Sequence, residues 1–252
     1  MRDSMRLKPL HLLIMALLAA LALTTMSVRA NTDQLYQLSG MATHQTHFQH
    51  ALTAAQQRYA QQLPRNVYES LVRQSNQRFA PQAMTDRAQA RLALSLDEAS
   101  HRQAVNFYQS ELGRRIVDIE TQATSAASVA TMQRGIPQMD VSTERLTTLR
   151  QLSVSLPALE LGVEVSMSLA NLATQSANDL LGGLFEVPGN MVDNRRDTLR
   201  GQMQPDLPNT LAYVYRDLTD AQLQQYLEWV QSDAGKNTSR AMELAAKDAL
   251  NP

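Results

Sequence analysis

Three histidines come closest to chemistry. His44, His47 and His50 recur every third residue, which on a helix keeps them within about 120° of arc. Imidazole suits Zn, Cu and Ni, so adjacent pairs could share a metal ion. A third ligand from the same helix is geometrically poor, and a carboxylate from elsewhere would have to complete the site. His44 also shares a stripe with Met41 and Phe48, which turns it partly toward a core. The favoured expectation is that the three are partly exposed polar residues; the alternative is a metal-binding protein or enzyme using this region. No cofactor is expected.

Other signatures of chemistry are missing. The chain has no cysteine, which removes disulfides, thiolate metal sites and thiol nucleophiles. It has no Gly-x-Ser-x-Gly elbow, no His-Glu-x-x-His, and neither of the glycine-rich phosphate patterns. The expectation is a protein that is not an enzyme. With 23 Lys+Arg against 24 Asp+Glu, it has no basic excess to drive nucleic-acid binding by counterion release. Asp193 to Asp197 mixes both signs within one turn and reads as a solvated helix face. Asp118 is spaced to pair with Arg114 or Arg115. The methionines of residues 31–252 are scattered, as core fillers are.

These side chains must be held by helices. Ala, Leu, Gln, Arg and Glu dominate, all good helix formers, and no convincing period-2 strand occurs. Phe48, Ala51, Leu52, Ala55 and Tyr59 follow helical spacing, as do Leu223, Tyr226, Leu227 and Val230. The fold class is all-α. Helices are predicted near 33–39, 41–62, 65–79, 82–93, 97–109 and 111–133. A second set is predicted near 143–154, 158–180, 190–203, 209–216, 220–231 and 233–248. Pro157 should start the helix over 158–180, and Gly182-Gly183 should end it. That segment is apolar around most of its circumference, which places it centrally in a core.

The two sets repeat each other. Leu35-Tyr-Gln37-Leu38-Ser39 returns as Leu149-Arg-Gln151-Leu152-Ser153. Pro64-Arg-Asn66 returns as Pro188-Gly-Asn190, and Pro81 as Pro205. Leu96-Asp-Glu98-Ala99 returns as Leu218-Thr-Asp220-Ala221, and Gln109-Ser110-Glu111-Leu-Gly113-Arg114 as Gln231-Ser232-Asp233-Ala-Gly235-Lys236. The order is preserved and the offset nearly constant, so a helical bundle of two tandem copies is expected, over 31–138 and 139–252. The repeated block reads as a helix–helix joint. Glu98 and Asp220 favour a helix start. Thr219 with Gln222 makes a capping box. Ser110 and Ser232 cap the next helix, and Gly113 and Gly235 permit close approach within its first turn. Arg114 and Lys236 follow the glycine in both copies and are candidates for holding an anionic partner. The histidine triplet has no counterpart in the second copy. His101 aligns with Leu223, so a buried histidine is expected there.

The pattern Leu-x-[Glu/Asp]-Ala, followed by [Phe/Trp]-[Tyr/Val]-Gln-Ser-x-x-Gly-[Arg/Lys], resembles that of the bacterial secreted domain-of-unknown-function family 2059. It is clearest over 94–117 and looser over 218–236. The resemblance implies an all-helical envelope protein and brings no established activity and no catalytic residues.

The first thirty residues read as an address. Arg2, Arg6 and Lys8 precede an apolar stretch from Leu10 to Leu23, and Val28 and Ala30 fit the −3 and −1 positions of a secretory cleavage site. The stretch is short of the roughly 20 residues of a spanning helix. Cleavage after Ala30, removing Arg2, Arg6, Lys8, Arg29 and Asp3, leaves 19 basic and 23 acidic groups. The expected location is the periplasm, with an uncleaved inner-membrane anchor as the alternative. The expected function is a non-enzymatic interaction or binding module of the envelope, with an unspecified envelope protein or ligand as partner. No nucleic acid and no membrane span in the mature chain are expected. The alternative is a carrier of an apolar small molecule or lipid, in a cavity lined by the 158–180 segment.

Overall fold

Side-chain caps set the helix ends. Ser110 and Ser232 sit in extended conformation, and each hydroxyl accepts the backbone N–H three residues on, from Gly113 at 2.9 Å and Gly235 at 3.0 Å. Thr219 and Gln222 form the expected reciprocal box. In the first half the equivalent cap is Asp97, whose carboxylate accepts the Ser100 N–H and lies below the usual carboxylate range because of that bond. Glu98 and Asp220 take the first helical turns, where a negative charge opposes the helix dipole.

The computed structural model describes residues 32–172 and 189–251. A short helical run over 32–38 leads into α1 (Met41–Ala60), α2 (Arg65–Arg78), α3 (Pro81–Ser95), α4 (Glu98–Gln109), α5 (Glu111–Ala123) and α6 (Ala126–Gln133). Then follow α7 (Thr143–Ser155), α8 (Ala158–Ala170), α9 (Gly189–Met203), α10 (Leu207–Val214), α11 (Asp220–Gln231) and α12 (Asp233–Leu250). No strand occurs among the described residues. The single helix expected over 111–133 is two. Thr124 ends α5, and the Ser125 hydroxyl accepts the Ser128 N–H to start α6, a cap hidden in a sequence with uninterrupted helix propensity. The segment expected over 209–216 starts at Leu207, with Pro208 in the first turn where its missing N–H costs nothing. The proposed signal peptide over 1–30, residues 173–180 and the Gly182-Gly183 stop lie outside the described residues.

Two hydrophobic cores form, and each draws helices from both sides of residue 138. The first gathers Phe48, Leu52, Leu71, Phe79, Met84 and Leu92 with Leu172, Ala241, Ala245 and Leu250. The second gathers Leu149, Leu152, Leu211, Tyr215, Leu223, Leu227 and Val230 around Ile116 of α5. Helix α12 lies along α3 and also touches α4 and α8. Its inner face is a row of small residues, Ala234, Thr238, Ala241, Ala245 and Ala249, which lets the helix axes approach closely. Arg87 of α3 fixes the far end, donating to the Asp248 and Ala249 carbonyls at 3.0 and 2.7 Å, while Arg91 pairs with the Asp248 carboxylate at 2.6 Å.

Helix α8 is joined to α9 by charge. Arg200 grips both Glu160 oxygens at 2.8 Å, and Arg196 pairs with Glu164, which is 3% exposed. The Arg200 guanidinium holds the Glu160 carboxyl below its usual range. Part of the 193–197 stretch is therefore not the solvated face expected. Arg196 turns inward because Glu164 is buried in the apolar segment and needs a counter-charge. Among the described residues no single helix is long and apolar enough to cross a membrane; α7 and α8 pass only as a pair, bent by 53°.

Candidate functional site

The histidine triplet does not assemble as a metal centre. His44 and His47 leave α1 on the side facing α6, and both Nδ1 atoms lie 2.9 Å from the Thr124 hydroxyl. The same hydroxyl lies 3.1 Å from the Thr121 carbonyl, so one oxygen ties both imidazoles to the end of α5. Burial, with a smaller contribution from His47, pushes His44 down to about 4, and it stays neutral at physiological pH. His50 is exposed and takes no part. Among the described residues no three His, Cys, Asp or Glu side chains gather around one metal position. Thr124, which brings the two rings together, carried no sequence signal, since it sits at the unforeseen α5–α6 break.

The paired joints adopt one geometry twice. A Cβ on Gly113 would lie 1.9 Å from the Phe107 carbonyl oxygen, and one on Gly235 would lie 1.9 Å from that of Trp229. The glycine thus packs on the last carbonyls of the preceding helix, which explains its place in both joints. Ser110 and Ser232 also donate to those same carbonyls at 2.6 Å. Arg114 and Lys236, the residues after each glycine, are exposed. Neither Arg114 nor Arg115 pairs with Asp118. Arg115 instead reaches across to the Asp217 carbonyl at 2.5 Å, a longer-range contact that helical spacing does not predict. His101 is half-buried rather than buried.

Arg115 opens onto a cleft of about 410 Å³ between α5, α6 and α10. Ile119, Ala123, Met132 and Val214 supply apolar surface. Arg115, Arg216, Asp118 and Asp217 supply two charges of each sign. Arg216 is braced by the Tyr213 carbonyl at 2.8 Å and lies 4.5 Å over the Tyr213 ring. No helix residue of α6 is buried, although its composition is apolar. The cleft pairs an apolar floor with charged and hydrogen-bonding groups at its edge. The second cleft, about 270 Å³, is a polar notch between α7 and α11 beside the Arg145–Asp220 pair.

Behind the larger cleft lies a cluster that sequence reasoning missed. The half-buried Glu120 of α5 accepts the hydroxyls of Tyr215 at 2.6 Å and Tyr226 at 2.8 Å. Burial raises the Glu120 carboxyl above its usual range, and the two phenols, which favour its charged form, offset part of that rise. Tyr215 and Tyr226 are raised in turn by burial and by the Glu120 charge. Phe107 stacks on Trp229 with centroids 4.5 Å apart and planes 8° from parallel. The low aromatic content hid this cluster, since these side chains are far apart in sequence and converge in one place.

The described part of the apolar 158–180 segment is packed: Val163, Met167 and Leu172 are buried, and Val165 and Leu169 lie against the first core. It lines neither cleft.

Residues 82–139 match the model of a family described as uncharacterized protein conserved in bacteria (DUF2059). The matched stretch runs from α3 through the Ser110–Gly113 joint and α6 to the linker before α7. No curated protein and no solved structure matches the chain.

Proposed function

We propose that this chain is an exported, non-enzymatic interaction module of the bacterial envelope, built from two copies of one helical unit. It is exported with residues 1–30 as a cleaved signal peptide, and it binds a polypeptide segment in the cleft between α5, α6 and α10. The observation that carries the binding reading is the cleft itself, with its apolar floor, its two arginines and its two aspartates. Helix α6, which forms one wall, has no fully buried residue, and its half-buried Met132 and exposed Ala127 face the cleft. The mixed charges fit a segment carrying both signs rather than a polyanion. Two joints with the same caps, the same glycine contact and the same spacing support the duplication.

The test is crosslinking in the native envelope. A photoreactive residue at the exposed Ala127 should give discrete protein adducts that disappear with Met132→Asp. The same probe at Arg65, whose side chain is 91% exposed on α2, should give none. Adducts equal at both positions, or absent from Ala127, would refute the reading. Mass analysis of the purified protein should show a chain starting at Asn31; a retained residue 1–30 segment would replace secretion by anchoring.

A further inference from the structure

We propose that α5 and α12 are reciprocal docking arms, so that the two halves of the chain, on either side of the 134–142 linker, are each other's obligate binding partners. The equivalence of the arms rests on the two-copy reading, but the interlocking of the cores does not.

Neither core belongs to one half. The bed formed by Phe79, Met84 and Leu92 is covered by Ala241, Ala245 and Leu250 from the far end of the chain. The second core lies wholly in the second half except for α4 and α5, which insert Ile116 and pack Phe107, Leu112 and Ile119 against it. Ile116 of one arm and Thr238 of the other occupy matching positions, six residues after each capping serine, and are 0% and 1% exposed. Each arm is also latched by polar groups of the opposite half. Glu120 of α5 takes the Tyr215 and Tyr226 hydroxyls, and the end of α12 takes Arg87 and Arg91.

Between the arms, Phe107 and Trp229 lie three residues before the two capping serines and stack face to face. Corresponding residues of the two joints thus meet in one contact. Each arm closes a core that the opposite half begins. The recognition chemistry is therefore specific: each half takes an α-helix that follows a Gln-Ser-x-x-Gly joint and carries a small or β-branched residue three positions after the glycine.

The linker allows the test on the whole protein. A protease site is inserted between Arg134 and Gly135, both exposed, where a side chain at Gly135 would meet nothing within 4 Å. After cutting, the halves should co-elute at the full mass and unfold in one transition. That transition now has a bimolecular step, so each tenfold dilution weakens association by about 1.4 kcal/mol and lowers the midpoint by roughly 3–6 °C. Halves that elute separately, or two transitions independent of concentration, overturn the proposal. A second measurement needs no insertion. Ile116→Ala perturbs the second core directly, yet amide exchange along α12, in the first core, should speed up as much as exchange along α11. Acceleration confined to the second core would overturn the obligate pairing.

Discussion

Replacing Gly113 or Gly235 by alanine reverses the ordinary effect of that substitution. In an unconstrained helix, glycine to alanine stabilises by about 1 kcal/mol. Here the new methyl carbon would lie 1.9 Å from a backbone oxygen and 2.7–2.8 Å from the adjoining carbonyl carbon, and backbone cannot swing aside as a side chain can. Relief requires the serine joint to open. The Phe107 carbonyl would lose the Ser110 N–H at 3.0 Å and hydroxyl at 2.6 Å, and the Gly113 N–H would lose its cap. Two hydrogen bonds at about 1 kcal/mol each and a cap at about 1 kcal/mol outweigh the propensity gain, leaving a net loss of about 2 kcal/mol. For a chain of this size that lowers the melting temperature by roughly 4–8 °C. Gly235→Ala should behave alike, with Trp229 in the place of Phe107. Gly201→Ala is the contrast: its Cβ meets nothing within 4 Å in α9, so it should be neutral or stabilising by up to about 1 kcal/mol. Urea unfolding followed by circular dichroism measures all three. A Gly113→Ala variant as stable as the parent would refute the account of the joint.

Glu120→Gln should flatten the pH dependence of stability. Glu120 is raised in the folded chain, so its contribution is fully present below the unfolded carboxylate value and is lost as pH rises through the folded one. The amide keeps an oxygen for the two phenols and removes the charge; thermal melts from pH 4 upward that fall in parallel for both proteins would contradict this. Arg196→Ala strands the Glu164 carboxylate in an apolar setting and should cost about 3 kcal/mol or more in chemical unfolding. The Glu164→Gln/Arg196→Ala pair should recover much of that loss; equal costs for the single and double variants would show that the ion pair is not what holds α9. Zinc added to chelator-treated protein should leave the melting temperature unchanged, because the His44 and His47 Nδ1 atoms are committed to Thr124. A stabilisation abolished by His44→Ala/His47→Ala would overturn that.

The sequence was most informative where local chemistry decides. The Ser110 and Ser232 caps, the Thr219–Gln222 box and the acidic first turns are readable because each depends on residues within one turn of helix. The α5–α6 break was not readable, since Ser125 caps a helix in a run that otherwise favours continuation. The places where side chains converge were harder still. Glu120 meets residues 95 and 106 positions away, and the two imidazoles meet a threonine 80 and 77 positions away. Neither encounter leaves any periodicity. The histidine spacing suggested metal chemistry only because spacing cannot show that the ring nitrogens face a hydroxyl. The repeat suggested two successive units, and only the packing of α12 on α3 shows that they interlock.

The grip of Arg87 on the carbonyls at the end of α12 sets a timetable for the young chain. The bed of Met84, Ala88 and Leu92 precedes its cover of Ala241, Ala245 and Leu250 by about 150 residues. Closing a loop of about 150 residues costs only a little more than closing a short one, but it cannot occur before the last helix exists. Until then the apolar bed lacks the cover that α12 supplies. The first core therefore closes only after α12 has been made, although its bed is laid down in the first half of the chain.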